Sequence, residues 1–370
     1  MILRGCLAFS ASLAALMAGS APKLALQYFY DRDHEELRLL ELRFLSARRG
    51  LAVGYLQTVE RIRGVLLESS DGGLTWRLQP FREVPRSLFF RDESTGWVVT
   101  DGGLWFTEEG GRSWRKIRSQ RGLLRVHFLN SQVGFAIGTE KQFLRTADGG
   151  KTWSKVPEGE SAAASPNLIY SAIAFANPQQ GMVSGFAPVA RRGVQLPAWM
   201  EPEEAAQRRQ LPGVLVLLHT NDGGASWQPQ IGSVFGRVTD LQLFSNRAGL
   251  ALVQFDDAFE YPGEVFRIGG AAPGERVFRE PDRLMTSVAF DSGGAAWMAG
   301  IEPPSKIRGA AIPGPVKLLR APGPQYTQWQ AVPVDYRANA NRAAVSIAPD
   351  GAVWVVTDTG MILRLPPPAP

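Results

Sequence analysis

The residues able to do chemistry are few in this sequence, and their spacing suits it poorly. The single cysteine, Cys6, lies in a leader segment expected to be removed, so the mature chain offers no disulfide, thiol nucleophile or thiolate metal site. Three histidines, His34, His127 and His219, stand far apart, which speaks against a histidine-rich metal centre. Asp256, Asp257 and Glu260 are not set in an Asp-x-Asp-x-Asp-Gly loop and read as a solvated loop rather than a calcium site. No glycine-rich phosphate loop follows a strand and opens a helix. Cleavage of an acidic sugar needs an arginine cluster, a tyrosine nucleophile with a glutamate partner, and an acid aspartate. The candidates are Tyr336, Arg337 and Arg342 near the end of the chain, and Tyr261 with Glu264 in a loop. No early Arg-Ile-Pro segment accompanies them, and they read as surface residues. No catalytic residue, cofactor or metal is therefore expected.

The strongest pattern is a repeat. Ser69-Ser70-Asp71-Gly72-Gly73-Leu74-Thr75-Trp76 recurs around Glu109, Gly111 and Trp114, around Asp148, Gly150 and Trp153, and around Asp222, Gly224 and Trp227. The tryptophans are 38, 39 and 74 residues apart. A period near 40 belongs to solenoids and propellers. The acidic side chain is suited to cap a turn and the Gly-Gly pair permits positive φ, so these are hairpin turns with structural duties. The tryptophan that opens the next strand is expected to pack as core.

Strand pairs precede each turn. Leu42-Arg43-Phe44 with Gly50-Leu51-Ala52-Val53, and Leu88-Phe89-Phe90 with Gly96-Trp97-Val98-Val99, are two of seven such pairs along the chain. Each unit then has four strands, the content of one propeller blade. The last unit ends at Met361–Leu365 and lacks a fourth strand. Leu24–Phe29 precedes the first unit and has no unit of its own, so it is expected to complete the last blade and close the ring. The fold class is all-β: one seven-bladed propeller of antiparallel blades over residues 21–370.

Charge and termini constrain the setting. The net charge is +5, and residues 1–156 hold 23 basic against 16 acidic residues. No dense basic run appears, and the tryptophans keep to repeat positions rather than an exposed stripe, so nucleic acid is not an expected partner. Arg4, the 11-residue apolar stretch Leu7–Met17 and the small residues Ala18-Gly19-Ser20 form a secretory signal over residues 1–20. The mature protein is expected in the periplasm or outside the cell.

The repeats resemble those of the photosystem II stability/assembly factor family. Gly134-Phe135-Ala136-Ile137-Gly138 and Leu144-Arg145-Thr146-Ala147-Asp148-Gly149-Gly150-Lys151-Thr152-Trp153 carry the likeness, which covers residues 38–230 well and the remainder weakly. The resemblance implies an exported, non-catalytic seven-bladed propeller that helps to stabilise or assemble another protein. It specifies the fold better than the function. The sequence departs from it by insertions at 187–212 and 302–315 and by the absence of acidic turns in the last three blades. The alternative is a carbohydrate-active propeller with the same turns, of the sialidase or glucanase kind.

The long segments 57–63, 187–212, 256–262 and 302–315 all fall between second and third strands, and so share one face. Partner binding is expected there, with Arg191, Arg192 and Trp199 as anchors, because these residue types are enriched at protein interfaces. The expected partner is a membrane or exported protein, bound by a monomer.

Overall fold

The computed structural model describes residues 22–187, 212–245, 248–255, 261–269, 274–302, 306–307 and 310–367. Arg191, Arg192 and Trp199 lie outside the described residues.

The chain folds into seven antiparallel sheets arranged as a ring. Blade I is Glu36–Phe44, Gly50–Gln57, Ile62–Ser69 and Arg77–Pro80. Blade II runs from Pro85–Phe90 to Arg115–Ser119, blade III from Leu123–Phe128 to Ser154–Lys155, and blade IV from Ile169–Phe175 to Gln228–Val234. Blade V runs from Gly236–Ser245 to Glu275–Phe278, and blade VI from Leu284–Phe290 to Gln330–Val332. Blade VII takes Ala343–Ile347, Val353–Thr357 and Met361–Leu365 from the end of the chain and Ala25–Phe29 from its start. The closing strand pairs Ala25 with Arg364 and Phe29 with Met361, the partnership expected from the sequence. Inner strands of successive blades touch in cyclic order, from I round to VII and back to I. Among the described residues no helix is long and apolar enough to cross a membrane.

The core lies between blades, which explains the aromatic spacing. Second strands such as Gly96–Thr100 and Gly134–Gly138 are buried along their whole length. The phenylalanine that ends an inner strand lies over the glycine that opens the second strand. A Cβ on Gly181 would come within 2.4 Å of the Phe175 ring, so only glycine fits. Each such phenylalanine then reaches the neighbouring blade. Phe44 stacks on Trp354 at 4.4 Å, and Phe128 on Trp97 at 3.8 Å. The turn tryptophans meet these phenylalanines edge-on, as Trp76 does Phe44 at 6.0 Å and Trp153 does Phe128 at 6.0 Å. Trp227 is buried, but Trp76, Trp114 and Trp153 are only half-buried. They cover the core rather than fill it, which differs from the sequence expectation. The filling is done by the second-strand aromatics Trp97, Phe135 and Trp354.

Six of the seven inner strands carry a register shift at the same depth, just before Glu41, Ser87, Arg125, Ala172, Asp240 and Ser287. Side chains near this step join adjacent blades. Glu41 accepts from Leu88 N at 2.7 Å, Asp240 from Val288 N at 2.9 Å, and Ser287 from Val345 N at 3.2 Å. These bonds satisfy inner-edge donors that would otherwise face the channel unpaired.

Candidate functional site

Antiparallel order divides the ring into two faces. The turns between strands one and two and between three and four lie on one, which we call the turn face. The connections between strands two and three, and the crossovers between blades, lie on the other, the insertion face.

On the turn face the repeated acidic residues act within their own hairpins. Asp71 accepts from Thr75 N at 3.0 Å and from the Thr75 hydroxyl at 2.5 Å, while Ser69 Oγ accepts from Gly73 N at 2.9 Å. Asp148 and Asp222 repeat this with Thr152 and Ser226. The bonds from Thr75 hold the Asp71 carboxyl down to about 2, and those from Thr152 do the same for Asp148. Glu109 has the longer arm and accepts from the Ser113 hydroxyl at 2.8 Å, without a backbone N–H donor among the described residues. The second glycine of the turn presses on the neighbouring blade: a Cβ on Gly73, at φ +83, would lie 2.1 Å from Trp354. Carboxylates committed in this way leave little capacity for a reaction.

Of the acidic-sugar candidates only Tyr261 and Glu264 come together; the others lie elsewhere in the ring. Tyr336 is 88% exposed in the crossover from blade VI to blade VII, and Arg337 beside it is paired with Asp335. Tyr261 and Glu264 lie at the third strand of blade V. Arg279 sits over the Tyr261 ring at 4.7 Å and pairs with Glu264, which Arg276 also meets at 3.2 Å. Arg342 is at the start of the inner strand of blade VII, deep in the ring, where burial and then the charge of Arg125 lower its pKa. Arg125 itself crosses the channel to Glu41 at 2.6 Å. Among the described residues the channel holds the Arg125–Glu41 pair and the buried Arg342, which forms no ion pair, with no tyrosine among those named.

The insertion face gathers unusual side chains. The flanks of the long connections, Gln57 and Ile62, Ala187 and Gly213, Phe255 and Gly263, and Ile301 and Gly314, all emerge there. The large apolar residues exposed on the described surface are Phe29, Val59, Ile62, Ile312 and Tyr336 on this face, Leu74 and Phe244 towards the turn face, and Ile231 on the outer strand of blade IV. Those five fall in one arc, over blades VI, VII and I.

Within that arc a groove of about 700 Å³ separates the closing strand from blade I. Tyr28 and Tyr30 form one wall and Trp76 and Leu78 the other. Tyr30 donates to Glu35 at 2.6 Å, and Arg63 pairs with the same carboxylate. Burial and the Glu35 bond push the Tyr30 phenol up to about 12. Arg32 lies 5.8 Å from the centre of the Tyr30 ring. Sequence reasoning passed over this site. Its available signal was the run Tyr28-Phe29-Tyr30-Asp31-Arg32-Asp33, denser in aromatics and charges than a closing strand requires.

No protein-family model matches the chain, and no curated protein matches its sequence. Solved structures do match. YCF48 bound to a D1 peptide aligns at a TM-score of 0.55 and 17% identity, over 94% of this chain and 99% of that one. YCF48 from Cyanidioschyzon merolae aligns at 0.58 and 14%, over 94% and 98%. The extracellular domain of the BT4673 regulatory system of B. thetaiotaomicron aligns at 0.57 and 10%, over 92% of this chain and 40% of that one. The phage phi92 endosialidase aligns at 0.52 and 7%, over 94% and 70%. At these identities the likeness shows the fold, a seven-bladed propeller.

Proposed function

We propose that this chain is an exported, non-catalytic propeller that holds a protein partner on its insertion face. The observation that carries this reading is the arc of exposed apolar residues Phe29, Val59, Ile62, Ile312 and Tyr336 on that face. Exposed apolar side chains on a soluble surface mark contact sites when they collect on one side of a molecule. The likeness to YCF48, seen with a D1 peptide, supports a polypeptide partner and a role in stabilising or assembling it. The signal read over residues 1–20 supports export, with cleavage near Ser20 and a periplasmic or secreted mature protein. The distance of Tyr336 and Arg342 from the Tyr261–Glu264 pair, and the engagement of Glu264 by Arg276 and Arg279, support the absence of glycoside hydrolysis.

A photo-crosslinking residue placed at Tyr336 or Ile312, with Leu74 as the control on the opposite face, tests the reading in the native host. The expected result is one discrete protein adduct from the first two positions and none from the third. Adducts from Leu74 alone would show that the docking face is the other one.

A further inference from the structure

The outer strand of blade IV, Gln228–Val234, differs from the other strands on the rim of the ring. It has seven residues, and all but Val234 are exposed. The outer strands of blades I, II, III and V have four, five, two and four residues, and each carries a charged side chain. That of blade VI has three residues. The closing strand of blade VII is uncharged, but a bulge breaks it between Leu26 and Tyr28, and Leu24 at its start bridges to Val334. Short, charged or bulged edges resist the addition of a further strand. Gln228–Val234 is long, regular and without charge. The blade beside it ends early, at Ser154–Lys155, and so leaves room along this edge.

The direction of its backbone groups follows from the repeat. In blade III, Val156 N, three residues after the turn tryptophan, donates to Phe143 O at 2.8 Å on the third strand. In blade I, Phe81 N, five residues after its tryptophan, donates to Gly64 O at 2.8 Å. Gln230 and Gly232 hold these places after Trp227, so their N–H and C=O groups face the third strand of blade IV. Pro229, Ile231 and Ser233 face outward. Pro229 suits that parity, since it has no N–H to give the ladder. Ile231 and Ser233 leave their donors and acceptors on the rim, and the Ile231 side chain is 60% exposed.

Gly232 is a second, independent sign. The ladder passes through it in regular register, its φ lies outside the left-handed region, and a Cβ there would meet nothing within 4 Å. Nothing inside this chain requires a glycine at that place. A strand glycine without a bulge or bend marks the close approach of another backbone.

We propose that Gln228–Val234 pairs antiparallel with the same strand of a second copy of this chain, about a two-fold axis through Gly232. Ile231 and Ser233 of one copy then exchange hydrogen bonds with Ser233 and Ile231 of the other, which uses every outward N–H and C=O of those residues. The two Gly232 residues face each other as the non-hydrogen-bonded pair, where Cα atoms approach to about 4.5 Å. Each Ile231 lies diagonal to its counterpart on the same face of the joined sheet, so the two side chains cover one another. The occupant is a copy of this chain because of the charge pattern. Pairing identical strands about a two-fold axis brings each side chain near its own counterpart. A strand such as Arg115–Ser119 would set cation against cation, whereas Gln228–Val234 meets no such penalty. The pairing is isologous and closes at two copies. It lies on the rim and leaves the turn face and the insertion face of each ring open. The contact is small, so a dissociation constant on the order of 100 µM is expected.

Sedimentation equilibrium of the mature full chain, from about 5 to about 300 µM, brackets that constant and is expected to show a monomer–dimer equilibrium. Ser233→Pro removes one outward N–H, as Pro229 already does without harm to the ladder. Ile231→Lys sets two ammonium groups beside each other across the axis. Both variants are expected to stay monomeric over the same range with the melting temperature of wild type. The mature chain has no cysteine once Cys6 leaves with the leader, so Gly232→Cys supplies a single thiol. Facing Cα atoms at about 4.5 Å are within disulfide reach, and the oxidised dimer is expected to form about tenfold faster than from Gln230→Cys, which lies away from the axis. A chain that stays monomeric throughout, a dimer unaffected by Ser233→Pro, or equal crosslinking of the two cysteine variants would overturn the proposal. A photo-crosslinking residue at Ile231 that joined a host protein in place of a second copy would also overturn it, by giving this edge to a partner's strand.

Discussion

His127 shows how a single residue reports the packing around it. It stands on the inner strand of blade III between the rings of Phe89 at 4.9 Å and Phe175 at 5.0 Å. Burial, with a smaller push from Arg43, lowers its pKa from 6.5 to about 4. The folded protein therefore keeps His127 neutral where the unfolded chain would protonate it. The associated stability is complete above pH 6.5 and is lost as pH falls towards 4. Urea unfolding at pH 7.5 and 4.5 should show wild type losing about 2 kcal/mol more than His127→Gln across this interval. An identical pH response in the two proteins would mean that the imidazole is solvated in the channel. The turn carboxylates do not confuse the comparison, since Asp71 and Asp148 protonate only near pH 2. None of this is visible in the sequence, where His127 is an isolated histidine. Its ring partners come from blades II and IV, 38 residues before it and 48 after it.

The elements most legible in the sequence are those built from local rules. The hairpin at Asp71 is written in eight consecutive residues, and each side-chain hydrogen bond within it spans four positions or fewer, with Gly72 N reaching outside it to Arg48 O. The closing strand was legible for a different reason: seven units were present and one lacked a strand. Ala25–Phe29 fills that gap and pairs along Met361–Leu365, with a bulge between Leu26 and Tyr28. The glycine and aromatic alternation marked the second strands, but it could not say which aromatic would be sealed. Trp97 is sealed because a neighbouring blade lies on both of its sides. Trp153 is at the rim of its sheet and keeps one edge in water. The groove was hidden because its walls, Tyr28 to Glu35 and Leu56 to Pro80, meet only when the first and last blades do. The closing strand thus both completes the ring and builds the site. Deleting residues 21–30 should lower stability by several kcal/mol, since a whole strand's packing is lost from blade VII and its edge is left open. Calorimetry should show a lower and broader transition. An unchanged melting temperature would mean that the ring closes without this strand.

At the scale of the whole molecule the ring separates support from contact. Residues 22–156, which make blades I to III and the closing strand, carry 22 basic against 16 acidic side chains, and residues 157–370 carry 17 against 19. The acidic turns, their glycines and the stacked aromatics bind the blades together on one face. The other face receives the long connections. Blade IV shows how independent these are: Ala187 pairs with Val214, and Gly213 with Val234, so the ladder is complete up to both ends of the connection. Rigid strand ends on each side let the loop between them vary at little cost to the ring. Arg191, Arg192 and Trp199 belong to that loop, and they remain proposed anchors for the partner. Replacing residues 188–211 by a short Gly-Ser turn should therefore leave the melting temperature within about 2 °C of wild type, as the blade IV ladder is complete without them. The same replacement should abolish the protein adduct formed through Tyr336. A lowered melting temperature would show that the connection packs on the ring and is part of the fold. An unchanged adduct would confine the partner to the arc over blades VI, VII and I, where residues such as Phe29 and Ile62 would then have to carry the contact alone.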